Sequence, residues 1–313
     1  MSIELSVVIP VYCCARCLDR LHERLVAVLA PLTPDFEIIM VNDASPDEAW
    51  PVMCGLAERD PRVRAVALSR NFGQHAAMTA GLAEARGRYA VVMDCDLQDP
   101  PEELPRLYAK AQEGYDVVYA KRKRKQHSLY RQTMARVYNK VLNLFSPHRI
   151  DPEYGSFSLI ARPVIDAYLG IRNHGQHYLF MLHWLGFRST HIEYEHAERG
   201  DQGPSSYTLG HLIRFALDGL FLQTTVLLRW IVYFGFGCAG LGFLGVVWMT
   251  YKALTGPLLP GWASLGVLIL MVGGVLMISL GIVALYIGRI FEQVQERPHY
   301  VVAQRVGGGR EAT

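Results

Sequence analysis

Two long stretches of this chain carry no charge, and they constrain its architecture before anything else. No charged residue occurs from Trp230 to Tyr251, and after Lys252 none occurs until Arg289. A helix needs about 20 apolar residues to cross a hydrocarbon core, and each stretch supplies them. The pattern predicts a transmembrane hairpin over 229–290, with helices at 230–251 and 264–288. Its link, Thr255-Gly256-Pro257-Leu258-Leu259-Pro260-Gly261, is short and turn-forming. Arg214 and Arg229 precede the pair, Arg289, Arg297, Arg305 and Arg310 follow it, and only Lys252 lies near its tip. Cytoplasmic flanks carry the excess of Arg and Lys, so both termini are expected on the cytoplasmic side of an inner membrane. Two long core helices are the competing reading, which the charge-free length opposes.

At 313 residues the chain can hold one sizeable domain in addition to such a hairpin. Its formal net charge of +2 does not suggest a nucleic-acid partner. The opening Met1-Ser2-Ile3-Glu4-Leu5-Ser6 lacks the basic and apolar regions of a secretory signal, so the large domain is expected to stay inside the cell. All six cysteines are then expected as thiols, with Cys238 inside the first span. Cys13, Cys14 and Cys17 crowd together, but no second Cys or His pair completes a zinc site.

Residues 5–120 alternate strand-like and helix-like runs, the signature of a parallel sheet with covering helices. The expected strands are Leu5–Val11, Glu37–Val41, Val63–Leu68, Tyr89–Asp94 and Asp116–Ala120. Ligands of such sheets bind beyond the carboxyl ends of the strands, which gathers Tyr12, Asp43, Arg70, Asp94 and Asp96 at one edge. The string Asp94-Cys95-Asp96-Leu97-Gln98-Asp99-Pro100-Pro101-Glu102 carries most of the chemistry. Residues two apart on a strand share a face, so two carboxylates are expected to occupy one small volume. That is costly unless a hard cation sits between them, and an all-oxygen set suits Mg2+ or Mn2+. An N-capped helix with solvated acids is the plainer reading.

Basic residues follow the fifth strand, in Lys121-Arg122-Lys123-Arg124-Lys125 and at Arg131. Within 205–228, Leu209, Leu212, Ile213, Ala216, Leu217, Leu220 and Phe221 recur at helical spacing. This predicts an amphipathic helix, either on the membrane surface or packed against the large domain. Gly235-Phe236-Gly237-Cys238-Ala239-Gly240 matches a dinucleotide-binding pattern, but it has no strand before it, and close helix packing explains it better. Gly307-Gly308-Gly309 reads as a disordered tail.

Taken in order, Ser6-Val7-Val8-Ile9-Pro10-Val11-Tyr12, Val41-Asn42-Asp43-Ala44-Ser45, Ser69-Arg70-Asn71-Phe72-Gly73 and the acidic string resemble glycosyltransferase family 2. His196-Ala197-Glu198-Arg199, Ser205-Ser206-Tyr207, Tyr286-Ile287-Gly288-Arg289-Ile290 and Arg297-Pro298-His299-Tyr300 resemble its polyprenyl-phosphate branch. The resemblance implies an α/β, GT-A type, Rossmann-like nucleotide-sugar-binding domain over 1–204, then the amphipathic helix, the hairpin and a tail over 291–313. It implies an inverting transfer of a sugar from a nucleotide diphosphate to a polyprenyl phosphate, undecaprenyl phosphate being the expected lipid. Pro10, Tyr12, Asp43, Arg70 and Asp94 would hold the nucleotide sugar, and Asp94, Asp96 and Gln98 the metal. Arg122, Arg131 and Arg199 would bind the acceptor phosphate and, with Asp96, form the catalytic set. A homo-oligomer, a tetramer in related enzymes, is also implied.

Three departures from the family pattern stand out. Ser156-Phe157-Ser158-Leu159 occupies the place of an Asp-Phe-Arg-Leu string, so an acid proposed as catalytic in some relatives is Ser156 here. Cys13-Cys14 replaces Asn-Glu, and Ser206 stands where many relatives have Lys. A processive polysaccharide synthase is one rival, opposed because Gln223 lies too far ahead of Arg229-Trp230 for that group's Gln-x-x-Arg-Trp string. A non-catalytic membrane subunit that binds a sugar nucleotide is the other.

Overall fold

The computed structural model describes residues 3–122, 154–171, 178–195, 262–295 and 298–307, with single helical positions between 234 and 251. In chain order the elements are β1 (Leu5–Val11), α1 (Ala15–Leu32), β2 (Phe36–Asn42), α2 (Ala49–Arg59), β3 (Val63–Leu68), α3 (Gln74–Glu84) and β4 (Tyr89–Val92). A 3-10 turn over Pro101–Glu103 leads into α4 (Leu104–Gln112), followed by β5 (Val117–Arg122), β6 (Tyr154–Ala161), α5 (Arg162–Gly170), α6 (Tyr178–Leu185) and β7 (Ser189–Tyr194). The last are α7 (Trp262–Val294) and β8 (Val302–Gly307).

The strands form one sheet in the order β7-β5-β6-β4-β1-β2-β3-β8. Every residue of β1, β2, β3 and β4 is buried, as expected where helices cover both faces. Their mutual pairings are all parallel, as the alternation of runs predicts. Helix α1 places Leu18, Leu21, Leu25 and Leu29 at helical spacing, and all four are buried. Helix α3 lies close against β1 at Gly81, where an added Cβ would collide with Val8.

The parallel sheet expected over residues 5–120 needs correcting at β5, which does not join β1–β4 directly, and strands from outside that range extend it. Strand β6 runs antiparallel between β4 and β5, and β8 runs antiparallel beside β3. The segment Val302–Gly307, expected within a tail, instead covers what would be the open edge of β3. Strand β4 also stops at Val92, so Asp94 and Asp96 sit on the following loop and not on a strand face.

Contacts divide the chain into two units: Met1–Asn139 with Arg149–Ser206 and Pro298–Thr313, and Lys140–His148 with Tyr207–Arg297. In the second, α7 is a continuous helix of 33 residues, without charge from Trp262 to Gly288. Leu265, Leu268, Ile269, Val272, Leu276, Leu280 and Ile287 are exposed on it. Among residues with described side chains, no helix is long and apolar enough to cross a membrane. The first expected span, 230–251, lies outside the described residues except at single positions, and the amphipathic segment 205–228 lies wholly outside them.

One polar cluster braces the helices. Asp60 accepts hydrogen bonds from Arg62 Nε at 2.8 Å and from the Arg62 backbone N–H at 3.0 Å, and pairs with His22 Nε2 at 2.9 Å. The Arg62 hydrogen bond outweighs burial and holds the Asp60 carboxyl well below the usual carboxylate range. A depressed folded pKa contributes stability above the unfolded value, near 4, and loses it as pH falls through the folded one. Asp60→Asn should therefore cost about 1–3 kcal/mol at pH 7 and progressively less in acid, as read by urea unfolding at several pH values. An equal cost at pH 7 and pH 2 would contradict the ionic origin.

Candidate functional site

The carboxyl ends of β1, β2 and β4 open into loops that contain, among the described residues, the non-glycine positions of positive φ: Cys13 at 56°, Ala44 at 50° and Leu97 at 63°. Each such conformation costs roughly 1 kcal/mol or more and persists only where its surroundings enforce it. At Cys13 hydrogen bonds between loops do so. The Cys13 N–H donates to Ser45 Oγ at 2.7 Å, and the Ala15 N–H, in the first turn of α1, donates to Asp47 Oδ2 at 2.9 Å. Cys14 gives α1 no side-chain cap, so Asp47 from the next loop supplies the acceptor. Burial would raise the Asp47 pKa, but the bonds from Ser45, Ala15 and Ala49 outweigh it and keep the carboxyl below its usual range.

Asp43 is 3% exposed, and its two oxygens accept the Phe72 N–H at 2.7 Å and the Gly73 N–H at 2.9 Å. It ties the end of β2 to the loop entering α3. The Asx-type bond sometimes made by such an aspartate belongs to Asn42, whose Oδ1 accepts the Ser45 N–H at 3.0 Å. Pro10 is buried in β1, whereas Tyr12 is 49% exposed at its end. Arg70 is exposed, its guanidinium 4.5 Å from the Phe72 ring centre.

Asp94 is the electrostatic centre. Gln74 Nε2 donates to its Oδ1 at 2.7 Å, and Ser156 Oγ donates to the same oxygen at 2.9 Å. Burial first, then the nearby Asp99 carboxylate, with Asp96 contributing less, push the Asp94 pKa up to about 6 against the opposing pull of the Ser156 hydrogen bond. Asp96 Oδ1 accepts the Gln98 N–H at 3.1 Å, which folds the loop back on itself. Asp99 is fully buried and accepts Tyr194 O–H at 2.6 Å. Arg122, ending β5, donates from Nε to Tyr194 Oη at 3.2 Å, with its Nη2 3.8 Å from Asp99 Oδ1.

A crowded carboxylate that resists ionisation fits a cation site, because a divalent ion removes the repulsion that raises its pKa. Among the described residues, no group of three His, Cys, Asp or Glu side chains is arranged to hold a metal alone. Mg2+ and Mn2+ in phosphate-transfer sites take only one or two carboxylates and complete their shell with substrate phosphate and water, which suits Asp94 and Asp96 with Gln98.

The thiol expectation needs correcting at one pair. Cys14 and Cys95 form a disulfide with Cα atoms 6.3 Å apart, because β1 and β4 are parallel neighbours whose carboxyl-end loops meet. Cys13, Cys17 and Cys54 are thiols. Arg131 and Arg199 lie outside the described residues, as do Lys123, Arg124, Lys125 and Ser206. No sequence motif marks Gln74 or Tyr194, and neither the place of Asp99 in the acidic string nor that of Ser156 in its own encodes the contact each makes here. Apart from Asp99's place in that string, only the departure at Ser156 gave a signal.

Residues 6–169 match the sequence profile of Glycosyl transferase family 2. An uncharacterized glycosyltransferase of Synechocystis sp. is 37% identical over 309 residues, covering 98% of this chain and 97% of its own. An undecaprenyl-phosphate 4-deoxy-4-formamido-L-arabinose transferase of Klebsiella pneumoniae is 36% identical over 311 residues, covering 97% of this chain and 93% of its own. The enzyme of the same name from Proteus mirabilis is 35% identical over 312 residues, covering 97% and 94%.

Proposed function

Because this chain belongs to glycosyl transferase family 2 and is a glycosyltransferase, we propose that it moves a sugar, with inversion, from a nucleotide diphosphate to a polyprenyl phosphate at a membrane surface. The observation that carries the reading is the crowded Asp94 carboxyl at the carboxyl edge of the sheet, with Arg122 approaching the same buried Asp99. Similarity over 97% of the chain to relatives named for undecaprenyl phosphate supports that acceptor. The charge-free stretches of the sequence support a membrane hairpin with spans at 230–251 and 264–288.

In this reading Pro10, Tyr12 and Asp43 hold the nucleoside and Arg70 lies near its diphosphate. Asp43 also braces the loop that carries Arg70, through Phe72 and Gly73. Asp94, Asp96 and Gln98 would hold Mg2+ or Mn2+, which would supply charge neutralisation at the departing diphosphate. Arg122, with Arg131 and Arg199, binds the lipid phosphate and orients one oxygen toward the anomeric carbon. That oxygen forms the new bond as the sugar–diphosphate bond breaks, and the nucleoside diphosphate leaves with the bonding electrons.

A general base is unnecessary, since a phosphate monoester is already largely ionised near neutral pH. This accounts for Ser156, whose hydroxyl here fixes Asp94.

Purified protein in detergent, given polyprenyl phosphate and a divalent cation, should form a glycolipid from at least one member of a panel of uridine and guanosine sugar nucleotides. Chelation of the cation should stop it. No product from any donor would refute the reading, and Asp96→Ala turning over like wild type would refute the role of the acidic cluster.

A further inference from the structure

We propose that Asp99, Tyr194 and Gly155 form a cradle that positions the Arg122 guanidinium for an anionic phosphate acceptor. The inference rests on Arg122 being an acceptor-phosphate ligand and adds what holds it in place. Arg122 and Tyr194 are the last residues of β5 and β7 and stand opposite each other in the parallel register. The Tyr194 hydroxyl faces both ways, accepting from Arg122 Nε at 3.2 Å and donating to Asp99 Oδ1 at 2.6 Å. Burial, then the adjacent Asp99 carboxylate, raise the Tyr194 pKa, so the phenol keeps the proton it donates. Asp99 is itself fully buried, and its second oxygen lies 3.4 Å from the Asp94 backbone nitrogen. One carboxylate thus links the backbone of the acidic loop to the arginine.

The third wall is β6. A Cβ at Gly155 would stand 3.0 Å from Arg122 Nη2, 3.2 Å from Nε and 3.3 Å from Cζ, closer than a side chain there tolerates without the guanidinium moving. The lack of a side chain at Gly155 therefore lets the guanidinium lie close against β6, and a hydrogen-bonded phenol holds it on the other side. A freely rotating arginine would lose side-chain entropy on gripping phosphate, and a held one has already lost it. With Nε committed to Tyr194, the Nη groups supply the donors for the anion.

The test is calorimetric binding of a short-chain polyprenyl phosphate to the full-length protein in detergent, with the matching polyprenol as the phosphate-free control and UDP and GDP as nucleotide controls. Tyr194→Phe and Gly155→Ala should each weaken phosphate-lipid binding about tenfold, Arg122→Lys at least as much, and nucleotide binding should stay within about twofold. Gly155→Ala leaves both hydrogen-bonding partners intact, so it reads guanidinium position alone. If Arg122→Lys weakens binding while Tyr194→Phe and Gly155→Ala bind like wild type, the cradle is refuted and the acceptor role of Arg122 stands. If Arg122→Lys binds like wild type, or wild type does not prefer phosphate to alcohol, the acceptor role fails and takes the cradle with it. Loss of nucleotide binding in step with lipid binding would also refute positioning, because it would mark general damage.

Discussion

Asp94→Asn is expected to abolish sugar transfer while raising the melting temperature of the metal-free protein at neutral pH. The carboxyl of Asp94 titrates at about 6, raised by burial first and then by Asp99. In an unfolded chain the same group titrates near 4. The folded state therefore binds this proton more tightly. Its stabilising effect is complete below about pH 4 and lost as pH rises through about 6. A gap of roughly two pH units corresponds to about 3 kcal/mol of ionisation cost carried by the metal-free fold at neutral pH. The neutral amide removes that cost and can still accept the Gln74 and Ser156 hydrogen bonds through its carbonyl oxygen.

The same change removes an anionic ligand from the proposed cation site, and turnover should fall at least about a hundredfold. Mg2+ or Mn2+ should raise the melting temperature of the wild type, less so as pH drops through 6, and leave the variant unchanged. Thermal melts with and without the cation, beside a turnover assay, read all three. A variant that melts lower than wild type or retains wild-type turnover would show that Asp94 carries no such strain or no such duty.

Arg64→Ala should be the most damaging change far from the site. Arg64 lies on β3, its side chain 11% exposed, with Nη1 3.5 Å from the buried Glu37 carboxylate and 2.6 Å from the Glu84 carbonyl oxygen, and Nη2 2.5 Å from Glu84 Oε2. Glu37 Oε1 also accepts Ser6 Oγ and the Arg86 N–H, both at 2.7 Å, and Arg305 of β8 reaches Glu84 Oε1 at 2.9 Å. A row of charges thus joins β2, β3 and β8 through α3, and Ser6 ties β1 to it. Removing the arginine leaves Glu37 buried without its counter-charge, a situation that typically costs 3–5 kcal/mol, so a loss of about that size is expected in urea unfolding. A loss below about 1 kcal/mol would mean that water or a shifted side chain replaces Arg64.

Which parts of this molecule were legible in the amino-acid order follows from the range of the interactions involved. The four parallel strands were readable because each is an apolar run whose neighbours in sequence are helices, a local pattern that burial on both faces imposes. Strand β6 was not, since it opens on the weakly apolar Tyr154-Gly155-Ser156 and the strand pairs with β4 and β5, far earlier in sequence. Strand β8 was hidden for the same reason, its partner β3 lying more than 200 residues earlier. The acidic string suggested a cation site through its residue types and their spacing.

Only the tertiary structure decided what sits around that string. Gln74, Ser156 and Tyr194 reach Asp94 or Asp99 across 20, 62 and 95 residues of chain. No periodicity encodes such meetings, because the sheet order creates them: β6 enters beside β4, and β7 beside β5. Residue types near one another in sequence therefore determined the family and the kind of chemistry. The raised pKa of Asp94 and the surroundings of Arg122 depend on how charges and space are shared between strands, which folding alone brings together.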